Sequence, residues 1–142
     1  MSISKHNVEQ MARAYLMYEL AKRGYNVQIT DSRFPAYDML VVSPNGKHFG
    51  IEVKGQSTKN FWRFTEREPK PDMFYAFVYV PYESINEIPN VFIMDSSATM
   101  NLWHEYKDKA RERPVKNDKT YQWGINWKQP FPYKDRYDLL PK

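Results

Sequence analysis

The sequence predicts an α/β fold, and three patterns carry that prediction. A helix-periodic apolar run lies near the start, short segments of alternating polarity follow it, and residues 73–80 form an unbroken apolar and aromatic run of strand length. Such a run marks a strand covered on both faces. With no internal repeat, low-complexity tract or linker between these patterns, one α/β domain over residues 1–142 is expected.

Over residues 7–23, Val8, Met11, Ala12, Tyr15, Leu16 and Leu20 recur at helical spacing, and Gly24 supplies a C-terminal stop. Residues 25–30 alternate as a strand should, and Asp31-Ser32-Arg33-Phe34-Pro35 breaks it. Two further strands, about residues 37–43 and 47–54, flank a turn. Residues 55–72 hold Pro69, Pro71 and many charges, the composition of a long functional loop. After the buried run at 73–80, Val91-Phe92-Ile93-Met94 reads as another short strand. Asp95 or Ser96 can cap a helix running to about Arg113, where Pro114 ends it. Lys107, Lys109, Arg111 and Arg113 make the end of that helix basic, which complements its dipole on a solvated face; contact with nucleic acid is the other reading. Residues 121–127 read as an edge strand, and 131–140 as an aromatic tail packed on the body.

The turn decides where the chemistry falls. In a strand, side chains alternate faces, so Glu52 and Lys54 point one way while Ile51 and Val53 point into the core. A two-residue Asn45-Gly46 loop would pair Pro44 with Lys47 and put Asp38 and Glu52 on opposite faces. A three-residue loop, with Pro44 and Asn45 central in a type I turn and Gly46 left-handed, pairs Ser43 with Lys47 instead. Asp38 then stands opposite Glu52, with Cβ atoms roughly 4.5–5.5 Å apart. Carboxylates that close repel unless a cation intervenes. The three-residue loop is therefore expected, with a metal ion as the reason for the pairing. An oxygen-rich acidic pocket suits Mg²⁺ and a neighbouring ammonium suits a phosphate, a combination that points to phosphodiester hydrolysis.

Composition sets the bounds. The chain has 142 residues, no cysteine, a net charge of +4, a pI near 9.2 and 16% aromatic residues. Disulfides, thiolate zinc sites and cysteine nucleophiles are excluded. Residues 1–7 show no apolar signal core and no stretch approaches the roughly 20 apolar residues of a spanning helix, so a soluble cytoplasmic protein with no membrane partner is expected. A basic, aromatic-rich chain is compatible with nucleic acid. His6, His48 and His104 lack zinc spacing, and no Gly-x-Ser-x-Gly elbow or glycine-rich phosphate loop is present.

A helix, three strands in a meander, an acid on the second strand and Glu-x-Lys on the third together resemble the PD-(D/E)XK nuclease superfamily. The resemblance spans roughly residues 5–80, with the small Holliday-junction resolvases and uncharacterised bacterial and phage proteins most similar; the ending Tyr133-Lys134-Asp135-Arg136-Tyr137-Asp138-Leu139-Leu140 looks like that of the uncharacterised group. It implies a restriction-endonuclease-like fold, a central mixed β-sheet flanked by helices. Asp38, Glu52 and Lys54 match the signature, and Glu9 matches the glutamate that members commonly add from the first helix. By that likeness Asp38 and Glu52 would ligate Mg²⁺ or Mn²⁺ with the Val53 carbonyl, Glu9 would help directly or through water, and Lys54 would orient or deprotonate the attacking water. Two features depart from the pattern. Ala36-Tyr37 separates Pro35 from Asp38, and residues 55–72 are too short and proline-rich for the usual crossover helix, so the sheet is expected to be wired differently beyond the third strand.

Plainer readings stand beside these. Lys54 can be a simple ion-pair partner of Glu52, and Glu9 can be an acid that stabilises a helix start. Gln56 shares the face of Lys54 and can hold a water or phosphate, or be a polar strand end. Lys59, Trp62, Arg63 and Arg67 combine cations with a stacking surface as nucleic-acid grooves do, while Trp62 with Phe61 and Phe64 can equally be core beneath a loop. The expected function is a metal-dependent endonuclease acting on DNA, perforce a small one that would work as a homodimer. The alternative is a non-catalytic module that keeps the fold and binds nucleic acid or protein.

Overall fold

The protein is described by a computed structural model over residues 3–30, 37–110 and 123–142. Ser4 opens α1 (Lys5–Lys22) by accepting the Asn7 N–H at 3.2 Å. Val8, Ala12, Leu16 and Leu20 form its buried stripe, at the spacing the sequence predicts. The helix closes at Gly24, whose N–H donates to Ala21 O at 3.0 Å while the Tyr25 N–H donates to Leu20 O at 3.1 Å, a Schellman motif.

Strands β1 (Asn26–Ile29), β2 (Met39–Val42) and β3 (His48–Gln56) then form an antiparallel meander. A short β4 (Trp62–Arg63) follows, then β5 (Met73–Tyr79) and β6 (Asn90–Asp95). The five-stranded sheet has the order β1-β2-β3-β5-β6, with β5 parallel to β3 and antiparallel to β6. The sheet is thus mixed. Asp95 caps α2 (Ser96–Ala110) by accepting the Ala98 N–H at 2.7 Å. Arg111, Arg113 and Pro114, expected at the end of this helix, lie outside the described residues, as do Pro35 and Ala36.

The β2–β3 connection is the three-residue loop. Ser43 N–H donates to Lys47 O at 2.8 Å, Gly46 N–H donates to Ser43 O at 2.9 Å, and Gly46 has φ 86°, which an L side chain rarely adopts. The ladder accordingly pairs Val42 with His48 and Met39 with Ile51.

Alternation on the strands divides the interior in two. Ile51, Val53, Phe74, Ala76, Val78 and Ile93 join α1 in a largely aliphatic core. Tyr75, Phe77, Tyr79, Phe92 and Met94 face the other way, into an aromatic core with Met100 and Trp103 of α2. The link from β3 to β5 carries no α-helix, as the sequence predicts; β4 within it is extended and covers the aromatic face. Of the strand expected at 121–127, residues 121 and 122 lie outside the described residues; the described part holds β7 (Gly124–Ile125), which pairs with β4 in a separate two-stranded sheet instead of edging the main one. The tail forms two 3-10 turns, Phe131–Tyr133 and Tyr137–Leu139, and buries Tyr137 and Leu140 against the aliphatic core.

One glycine sets how closely α1 approaches the sheet. A Cβ on Gly55 would meet Ala12 Cβ at 2.6 Å, with Val8 O at 3.5 Å and Glu9 Cα at 3.7 Å. Gly55→Ala is therefore expected to push the N-terminal half of α1 off β3 and cost about 1–3 kcal/mol, read by denaturant unfolding. Adding Ala12→Gly should recover part of the loss if the clash is its cause.

Several phenols are buried enough to resist ionisation. Burial pushes Tyr75 up to about 12, with Arg67 pulling it down and Glu52 pushing it up, and burial also raises Tyr15, Tyr25 and Tyr137. Because the folded pKa lies above the unfolded one, this contribution is complete below pH ~10 and is lost as pH climbs towards 12. Thermal midpoints should fall across that window, and less steeply in Tyr75→Phe. A fall of equal size in the variant would remove Tyr75 as a source.

Candidate active site

The site forms where β2 stops and β3 continues. The last β2–β3 ladder pair is Met39 with Ile51, so the outer edge of β3 from Glu52 to Gln56 lies beyond β2. Asp38 takes over that edge. Its N–H donates to Ile51 O at 3.0 Å, one step out of the ladder register as at a β-bulge, and its Oδ2 accepts the Val53 N–H at 2.7 Å. Its carbonyl accepts the Thr30 N–H at 3.0 Å, and the Thr30 hydroxyl donates to Tyr37 O. Asp38 is thus held through backbone and side chain at once.

The bulge corrects one expectation. Asp38 is not the ladder partner of Glu52; the chain turns at Asp38 and spends that carboxylate on a backbone donor of β3. Direct opposition would have set two negative groups against each other, and the bulge gives each its own partner. Both carboxylates still line one cleft of about 440 Å³, together with Glu9, Lys54 and Gln56.

Glu52 is 9% exposed and flanked on β5 by Tyr75, its partner in the parallel ladder. A carboxylate this buried requires charge partners, and among the described residues Glu52 has two. Lys54 Nζ lies 3.2 Å from Oε1 and Arg67 Nη1 lies 3.3 Å from Oε2. The Lys54 pair is the one that strand alternation predicts. Gln56 lies on the same strand face and its amide donates to Asn60 O at 2.6 Å, which holds the start of the β3–β5 link beside the cleft.

The nucleic-acid candidates divide. Arg63 is exposed and lines the cleft, while Arg67 is exposed and paired to Glu52. Lys59 is exposed over the Tyr79 ring, 6.0 Å from its centroid. Trp62 is core: it is 2% exposed, stacked on Trp127 at 5.6 Å and edge-on to Phe77 at 5.3 Å. Its large apolar area repays burial, which removes its ring as a stacking surface for a base.

Two cations of the cleft escaped the sequence reading. Lys5 and Arg13 of α1 join Glu9 in its wall. The signal was present, since Lys5, Glu9 and Arg13 are spaced four apart and share one helix face. What was lacking was a reason to place that face over β3, and the contact at Gly55 provides it.

Among the described residues, no three His, Cys, Asp or Glu side chains gather as a ready-made metal cluster. Mg²⁺ does not demand one, because it keeps several waters and is commonly held by one or two carboxylates plus substrate phosphate. Asp38 and Glu52 beside a strand edge fit that donor set. No helix among the described residues is long and apolar enough to cross a membrane.

No protein-family model matches the chain, and no curated protein matches it. Among solved structures, that of the bacterial homing endonuclease I-Ssp6803I is similar over 97% of this chain and 91% of that one, with a TM-score of 0.57 and 14% identity. The likeness reaches well beyond the first half of the chain. The α/β fold found here, an N-terminal helix, a mixed central sheet and a second helix, is thus one that a nuclease also adopts.

Proposed function

We propose that the chain is a metal-dependent nuclease of the PD-(D/E)XK superfamily that hydrolyses phosphodiester bonds, with DNA the favoured substrate. The observation that carries this reading is the single cleft in which Asp38, Glu52 and Lys54 meet at the uncovered edge of β3, walled by Lys5, Arg13 and Arg63. Likeness of fold to a homing endonuclease supports it.

Asp38, Glu52 and the Val53 carbonyl would hold Mg²⁺ or Mn²⁺, and Glu9, which lines the same cleft, would bind one of its waters. When bound, the ion would supply Lewis-acid stabilisation of charge on the phosphoryl group and lower the pKa of a coordinated water. The protein's own residues do the rest. Lys54, tethered to Glu52, presents its ammonium towards the cleft, where it can orient the attacking water and donate to a phosphate oxygen. Lys5, Arg13 and Arg63 attract the phosphate backbone without reading bases. Two copies acting together would extend a small recognition surface.

Asp38→Ala and Glu52→Gln should each lower cleavage of plasmid, single-stranded, flapped or four-way DNA in Mg²⁺ or Mn²⁺ by about a hundredfold or more, and Lys54→Ala by a comparable factor. Equal cutting by Asp38→Ala would sink the assignment. The double variant Lys5→Ala/Arg13→Ala should weaken DNA binding without changing sequence preference and reduce the salt slope of log K by about two. An unchanged slope would take these two residues out of the interface.

The alternative is a module that kept the fold to bind nucleic acid or protein. The ion pairs that already neutralise Glu52 favour it, because a carboxylate so satisfied needs no metal. Calorimetry separates the readings: a module without a working site takes up no Mn²⁺ that Asp38→Ala abolishes.

A further inference from the structure

Among the described residues, two cations share the one carboxylate of Glu52. Lys54 reaches Oε1 from the same strand, and Arg67 reaches Oε2 from the link between β4 and β5. Lys54 alone balances the formal charge of Glu52. The second occupies the oxygen that a ligand would otherwise approach.

The Arg67 guanidinium reaches Glu52 from a backbone that is held in place. The segment around it is strapped to α2 by three residues on one helix face. Trp103 Nε1 donates to Phe64 O at 3.1 Å, the Arg67 N–H donates to Met100 Sδ at 3.4 Å, and Ser96 Oγ both accepts the Lys70 N–H at 2.8 Å and donates to Lys70 O at 2.7 Å. The Arg67 side chain is nevertheless 40% exposed, against 11% for Glu52. A fixed backbone under a partly exposed guanidinium allows a change of partner without a change of fold.

We propose that Arg67 is an exchangeable counter-ion: it holds Glu52 while no divalent cation is bound, and passes to a phosphate of the nucleic acid when one is. The inference rests on the nuclease reading above. A divalent ion brought to Glu52 places two positive charges beside the guanidinium, and their repulsion drives Arg67 off Oε2. The phosphate that arrives with the substrate is the partner for which a guanidinium fork is best shaped. Lys54 remains on Oε1, so the two cations divide the work. Before the ion arrives, Arg67 keeps the buried carboxylate satisfied.

The test is calorimetric titration of Mn²⁺ into the whole chain and into Arg67→Gln, Arg67→Lys and Asp38→Ala, without nucleic acid. Arg67→Gln should bind Mn²⁺ about three- to tenfold more tightly than the parent, and Arg67→Lys should return most of the way to it. In Ca²⁺, Arg67→Gln should bind a short DNA duplex more weakly, with the salt slope of log K reduced by about one. Should Arg67→Gln fail to fold, Arg67→Met keeps the apolar stem and is held to the same expectations. Mn²⁺ binding that Asp38→Ala abolishes but that loss of the Arg67 charge leaves equal or weaker overturns the exchange alone. Absence of any Asp38-dependent Mn²⁺ binding overturns the nuclease reading, and this inference with it.

Discussion

The site depends on one unequal pairing: β3 runs on to Gln56 after its partner β2 has ended at Met39. A strand edge without a neighbour presents N–H and C=O groups that must find other partners. Asp38 meets that need at Val53 with its carboxylate, and so an acid is fixed at the edge by the ordinary requirement that backbone groups be paired. The remaining face of the edge lies open to the cleft. The β3–β5 pairing on the other side is parallel and continuous from Gly50 to Gln56, which keeps the strand rigid while its outer edge is free.

Three layers meet at this edge. The aliphatic core brings α1 down onto β3, and Gly55 allows the approach that carries Lys5, Glu9 and Arg13 into the cleft wall. From the opposite face, the aromatic core supports β4 and the strapped segment that delivers Arg67 to Glu52. The charges therefore come from different parts of the chain and are balanced only once the chain is folded. Glu52, the most buried of them, sits where low exposure strengthens each interaction and penalises any vacancy.

Much of this was legible locally. The α1 stripe is an i, i+4 pattern of apolar residues, and Gly24 stops the helix by the motif its position suggests. Pro44-Asn45-Gly46 could be read as a three-residue turn because Gly46 accepts a positive φ and the Pro-Asn pair suits the preceding type I geometry; that choice set the β2–β3 register correctly up to Met39. Trp62 was ambiguous for a physical reason. A tryptophan next to cations serves a groove or a core equally well in sequence, and only the partners Trp127 and Phe77, distant along the chain, decide between them.

The sequence by itself determined the local geometry: the helix, the hairpin turn, the alternation that puts Glu52 and Lys54 on one face, and the absence of a helix over the short, charged stretch 55–72. Each follows from interactions between residues a few positions apart, which backbone sterics and periodicity govern. Only the tertiary structure decided that the chain bulges at Asp38, that α1 contributes two cations, that Trp62 is core and that Arg67 shares Glu52 with Lys54. Those outcomes turn on the balance of buried charge and the close packing of segments far apart in sequence, and neither exists until both core faces have closed around the sheet.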